Sequence, residues 1–165
     1  MQNTWYNADM EHASNNPYAL SRMKMQEKYA PYISGSDTGL LVAVCCRALG
    51  DPARNALEKS AEALGYGAKA ITYVQAGADS RPLESTQLFE LVEGLDPLFI
   101  LATDDDSREL CAQTYRTPFA AFARCRLMGR EARGFDNMDS LMKSAEGKQR
   151  VWAALKTLPA RPDPH

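Results

Sequence analysis

Four groups of residues in this chain have types and spacing that could do chemistry. Asp37-Thr38-Gly39 matches the tripeptide that carries the catalytic carboxylate of aspartic proteases. That reaction needs two such carboxylates sharing one proton, and the chain holds a single copy, so the segment reads as a turn. Asp104-Asp105-Asp106 sets three carboxylates in a row. No matching Asp, Glu or His cluster stands elsewhere at metal-ligand spacing. Acidic side chains in a first helical turn are stabilised by the macrodipole, so this run reads as a helix start with Thr103 as its cap. Cys45, Cys46, Cys111 and Cys125 lack C-x-x-C spacing, and neighbours on a strand point to opposite faces. Reduced core thiols are expected, with no metal and no cofactor. The fourth group is a scatter of polar residues that follow apolar runs: Arg47, Asp51, Gln75, Arg81, Asp104, Asp136 and Asn137.

The elements before them give these residues their meaning. Gly39 to Cys46 contains an unbroken apolar run of strand length, the pattern of a strand buried on both faces in a parallel sheet. Ala70–Val74 and Leu98–Ala102 repeat it. Between them Asp51 with Pro52, Pro82 and Thr103 mark helix starts, while Gly65, Gly67 and Asp96-Pro97 mark helix ends. An earlier helix runs from Pro17 to about Tyr29 and a loop covers Ser34–Gly39. Further on, Phe119–Arg126 and Glu131–Phe135 read as two shorter strands turning at Met128-Gly129-Arg130. Asn137 starts a short helix, and a last helix spans Lys148–Leu158 with Val151, Trp152, Leu155 and Leu158 inward. The order describes one three-layer α/β/α domain, residues 17–158, with a short, mainly parallel central sheet. A flexible arm, 1–16, and a tail, 159–165, flank it. In open parallel sheets ligands bind at the carboxyl edge. The loops Arg47–Asp51, Gln75–Arg81, Thr103–Asp106 and Gly134–Asn137 share that edge, which makes Arg47, Gln75, Arg81, Asp104 and Asp136 the candidate ligand-binding residues.

The 165 residues are 45% hydrophobic and 24% charged, ordinary for a globular domain. No apolar run approaches a bilayer span, and the first residues lack a signal peptide's basic start and apolar stretch, so the cytoplasm is the expected location. The net charge of −2 hides a split. Residues 1–115 carry nine Lys or Arg against sixteen Asp or Glu, whereas 116–156 carry nine against four. Arg124, Arg126, Arg130, Arg133, Lys143 and Lys148 are therefore candidate phosphate contacts to DNA, provided that they share a face.

From about Leu40 to Leu158 the chain resembles, remotely, the short microbial members of the uracil-DNA glycosylase superfamily. The likeness rests on Leu64-Gly65 before the second strand, on Arg81-Pro82-Leu83-Glu84, and on Asp96-Pro97 leading into Leu98–Leu101. It continues through Gly129-Arg130, Ser140-Leu141-Met142, Lys148, Trp152 and Leu155. The resemblance implies a base-handling loop at Cys46–Pro52 and a closing motif at Asn137-Met138-Asp139. The departures fall on the chemistry. The first loop lacks the family's Gly-Glu or Gly-Gln start and its several glycines. Asn137 replaces the histidine of His-Pro-Ser, and the iron–sulfur cysteines have no counterparts. A glycosylase must extrude a base and stabilise the departing anion. Asp51 and Asn137 are the residues left for positioning water and donating a hydrogen bond, and both also sit where helix caps belong. The expectation is a divergent, non-catalytic member of this fold, associated with nucleic acid through its basic half. The alternatives are an active glycosylase or related base-acting enzyme, and a domain binding a small molecule or a protein partner.

Overall fold

The two central strands form where the apolar runs are unbroken. In the computed structural model, which describes residues 17–77 and 81–161, the chain runs α1 (Pro17–Lys28), a 3-10 turn (Ala30–Tyr32), β1 (Ile33–Gly35), β2 (Leu41–Cys45), α2 (Asp51–Ala63) and β3 (Ile71–Gln75). It continues through α3 (Ser85–Leu95), β4 (Phe99–Ala102), α4 (Asp105–Tyr115), β5 (Cys125–Leu127), β6 (Arg130–Gly134), α5 (Met138–Leu141) and α6 (Ala145–Leu155). The arm expected at 1–16, part of the Gln75–Arg81 loop and the end of the 159–165 tail lie outside the described residues. Among the described residues no helix is long and apolar enough to cross a membrane.

The six strands make one mixed sheet in the order β1-β3-β2-β4-β6-β5. The inner four are parallel, with Val42 level with Thr72 on one side and Ile100 on the other, and Ile100 level with Ala132. The outer strands β1 and β5 run antiparallel to their neighbours. Helices cover both faces. Leu41, Ala43, Ile71, Tyr73, Phe99 and Leu101 pack with Leu57 and Ala61 of α2 and Val151 and Leu155 of α6. Val42, Val44, Ile100 and Ala102 pack with Leu88, Leu91 and Leu95 of α3 and Cys111 of α4. Every residue of β2 and β4 is buried, as the lack of polar alternation required. The chain leaves β2 toward the α2 face and leaves its neighbour β4 toward the α4 face. Adjacent strands with diverging exits open a crevice at the carboxyl edge.

Several boundaries differ from the sequence reading, each for a local reason. Ser34 and Gly35, expected in a loop, pair with β3 as an edge strand. Phe119–Arg126 is mostly a wrapped loop. Phe122 adopts φ +63° and donates its N–H to the Gly134 carbonyl at 2.8 Å, while the buried Phe119 offers its carbonyl to Arg108 Nη1 at 2.8 Å. Asp51 is the first residue inside α2 rather than its cap, and Gly50 holds the cap position. Asp104, not Thr103, caps α4. The helix expected from Pro82 begins at Ser85, where Glu84 and Gln87 form a capping box. The last helix starts at Ala145, capped by Ser144, and its Trp152 is 40% exposed rather than inward.

Arg133 is the one fully buried guanidinium of the described residues. It donates to Thr157 Oγ1 at 2.8 Å, to Glu131 Oε2 at 2.9 Å and to the Ala132 carbonyl at 2.7 Å. This ties β6 to the chain just beyond α6. The hydrogen bond from Arg133 holds the Glu131 carboxyl below its ordinary pKa, against the opposing effect of partial burial. A depressed carboxylate contributes stability above its unfolded pKa, roughly 4.3, and that contribution is lost as pH falls through the folded value. Arg133→Ala is expected to cost about 3 kcal/mol near neutral pH, because it leaves Glu131 without its counter-ion, the Ala132 carbonyl without its donor, and a cavity where the guanidinium stood. Urea denaturation curves at neutral and acid pH check this. The variant should also lose part of the acid sensitivity that Glu131 confers.

Candidate functional site

The crevice between β2 and β4 widens into a cleft of about 390 Å³, which extends over the end of β6 to α5 and α6. Its back wall is built on Asp104. This residue is 5% exposed, and its carboxylate accepts three backbone N–H groups. Cys46 and Arg47 donate to Oδ2 at 3.1 and 2.9 Å, and Ser107 donates to Oδ1 at 2.7 Å. A buried carboxylate is tolerated when such donors satisfy it. One side chain thus closes the turn after β2 and caps α4 together.

The remaining walls are held in the same way. Asp139 of α5 accepts the Gly50 N–H at 2.9 Å and so fixes the start of α2. Asn137 caps α5 by accepting the Ser140 N–H at 3.2 Å. Ser144 caps α6 by accepting from Gly147 N at 3.0 Å. Gly147 has no alternative residue, since a Cβ there would overlap the Leu141 carbonyl. Arg108 joins α4 to the sheet end through the Phe135 and Phe119 carbonyls and pairs with Asp105. Arg150 lies 4.2 Å over the Phe122 ring, which meets Phe135 edge-on.

The candidate ligand residues divide between separate places. Arg47, Asp104 and Asp136 line the cleft. Gln75 is spent on the Cys46 carbonyl, to which its Nε2 donates at 3.2 Å. Arg81 sits in a different basin beside Tyr29 and Tyr32. Of the two candidate catalytic residues Asn137 lines the cleft and Asp51 does not, being exposed at the start of α2. Glu146, Ser144 and Arg150, which the sequence reading left out, complete the lining. The signal for them was Ser144 three residues before Gly147, a cap that moves the helix start ahead of Glu146.

The basic set does not gather on one face. Arg133 is buried. Arg130 is bound to Glu93 at 2.5 Å, to Asp96 at 2.6 Å and to the Pro97 carbonyl at 2.9 Å. Arg126 lies 3.7 Å from Glu131. Arg124, Lys143 and Lys148 are exposed, and Lys148 faces a groove on the far side of α6 from the cleft. Among the described residues no group of three or more His, Cys, Asp or Glu side chains could hold a metal ion. No protein-family model and no curated protein matches the chain.

The cleft charge is mainly negative. Asp104, Asp105, Asp106, Asp136 and Glu146 outnumber Arg47 and Arg150. Arg47 spends part of its charge on Asp106, 3.8 Å away. Cys46, beside this acidic wall, has its thiol pushed up to about 12, by burial first and then by the charges of Asp104 and Asp106. Burial likewise pushes Cys45 to about 11. Because thiolates are the reactive form, Cys45 and Cys46 of the folded protein should resist a maleimide at neutral pH, whereas all four cysteines react after denaturation. Mass mapping of the labelled sites checks this. Asp104→Asn should destabilise the fold by about 2 kcal/mol, since one carboxylate oxygen becomes a donor facing N–H donors. Denaturant titration measures it.

Proposed function

We propose that this chain is a divergent, non-catalytic domain of uracil-DNA-glycosylase-like build whose carboxyl-edge cleft binds a small organic ligand rich in hydrogen-bond donors or carrying a cation. The observation that carries this reading is the division of labour among the cleft carboxylates. Asp104 is consumed by backbone amides and Asp105 is paired with Arg108, while Asp106 has only a loose ion pair with Arg47 at 3.8 Å. The carboxylates of Asp136 and Glu146 remain exposed on the lining, with no hydrogen bond or ion pair to any described residue. Pockets fix their ligands through a few such placed polar groups, and acceptors in excess select donors.

The placement at the parting of β2 and β4 supports the reading, because ligands of open parallel sheets lie there. The two loops that the family resemblance marks, at Arg47 and Asn137, border this same cleft. Catalysis is disfavoured by the distribution of its residues. Asp51, the residue left for positioning water, stands outside the cleft that Asn137 lines. A phosphate backbone is disfavoured by five carboxylates on the lining and by the internal engagement of Arg130 and Arg133.

Thermal shift with aliphatic diamines, guanidines and aminopurines tests the reading, with carboxylic acids and phosphates as the opposing set. Members of the first set should raise Tm, and the double variant Asp136→Asn/Glu146→Gln should abolish the response while folding normally. Stabilisation by phosphates or DNA alone, steeply weakened by salt, would contradict it. Uracil-containing single-stranded DNA should stay intact at high protein excess, with Asn137→His no different. Abasic sites made by the unmodified protein would replace this reading with the glycosylase one.

A further inference from the structure

A second concavity, of about 320 Å³, lies between α2 and α6 and is independent of the cleft. Its floor is apolar: Ala56 on α2, then Met142, Val151 and Trp152. Trp152 is 40% exposed, although its α6 neighbours Val151 and Leu155 are buried. A large indole 40% exposed beside aliphatic side chains offers an apolar contact surface with a polar N–H at its edge. The rim carries Lys59 on one helix and Lys148 on the other, both exposed, and no carboxylate lines the groove.

We infer that this groove docks an acidic segment of a partner protein, inserting one large apolar side chain against Trp152 with flanking carboxylates on Lys59 and Lys148. Charge complementarity identifies the occupant. The two lysines stand on opposite walls, so a chain laid along the groove meets a cation on each side of its apolar anchor. An aromatic at the centre of a groove with a charged rim is the arrangement that concentrates binding energy at one residue. Single-stranded nucleic acid also pairs stacking with cations, but the lining favours the peptide. Aliphatic groups dominate the floor, leaving Asn55 and Ser60 to meet base edges.

The test uses the full chain with Trp5→Phe, which leaves Trp152 as the sole tryptophan. Selection from a displayed random-peptide library should enrich sequences with an aromatic or large aliphatic residue beside Asp or Glu. Synthetic copies should shift Trp152 emission to the blue, and Lys59→Glu/Lys148→Glu should weaken them by at least about tenfold, as removal and reversal of paired charges does. Both lysines are exposed, so the double variant keeps its fold, checked by circular dichroism. Failure to enrich, or enrichment indifferent to the double variant, overturns the inference. Quenching of Trp152 by oligothymidylate that the double variant abolishes would overturn it in favour of nucleic acid.

Discussion

The Asp104 carboxylate is the constraint on which the site depends. A carboxylate taken out of water costs several kcal/mol unless donors replace its hydration, and here three backbone amides from two distant segments do so. The Cys46 and Arg47 amides stand where the chain has left the ladder, and the Ser107 amide stands in the first turn of α4, so none has a regular backbone partner. The charge and the orphan amides therefore stabilise each other. The result holds the end of β2 and the start of α4 at one spacing, and that spacing is the back of the cleft. Asp139 extends the same device to Gly50 and so ties the start of α2 to α5, while the Asp105 N–H donates to the Asp136 carbonyl and ties the start of α4 to the chain before α5.

This arrangement accounts for the way charge is used across the molecule. Part of the basic half is internal cement. Arg130 and Arg133, with Arg108 from the acidic part, bind carbonyls and carboxylates that would otherwise stand unpaired at sheet and helix ends. The acidic residues collect where the helices begin, which the helix dipoles favour. The surface is thus sorted by α6: carboxylates and Gly147 toward the cleft, Lys148 and Trp152 toward the groove. A ligand in the cleft and a partner in the groove would touch one helix from its two sides.

The inner strands were legible because burial on both faces erases polar alternation, as Leu41–Cys45 and Phe99–Ala102 do. The helix starts were legible to within a few residues, and Asn137 was read correctly as a cap. The edge strand Ile33–Gly35 was not, because three residues held by pairing with β3 carry no pattern of their own. Arg133 reads as a surface charge in sequence, and only the approach of Thr157 and Glu131 permits its burial. Trp152 reads as core by spacing, yet α2 and α6 stand apart at that level and leave it in the groove. For the site, the loops at the carboxyl edge were foreseen, while the choice among their residues was decided by capping. Gln75 and Asp51 point elsewhere, Glu146 arrives because its helix begins earlier than the apolar spacing suggested, and Arg150 lay within the expected helix without being singled out.

The central claim is that the acidic cleft, and not the basic half, is where this protein meets its ligand. Amide chemical-shift mapping of the labelled protein against a fragment library with cationic, neutral and anionic members addresses it most directly. The account predicts that cationic and donor-rich fragments move the amides of Arg47, Asp105, Asp136, Asn137 and Gly147 together, and that anionic fragments leave them still. Shifts confined to Arg124, Arg126 and Lys143, produced by anionic fragments, would contradict it.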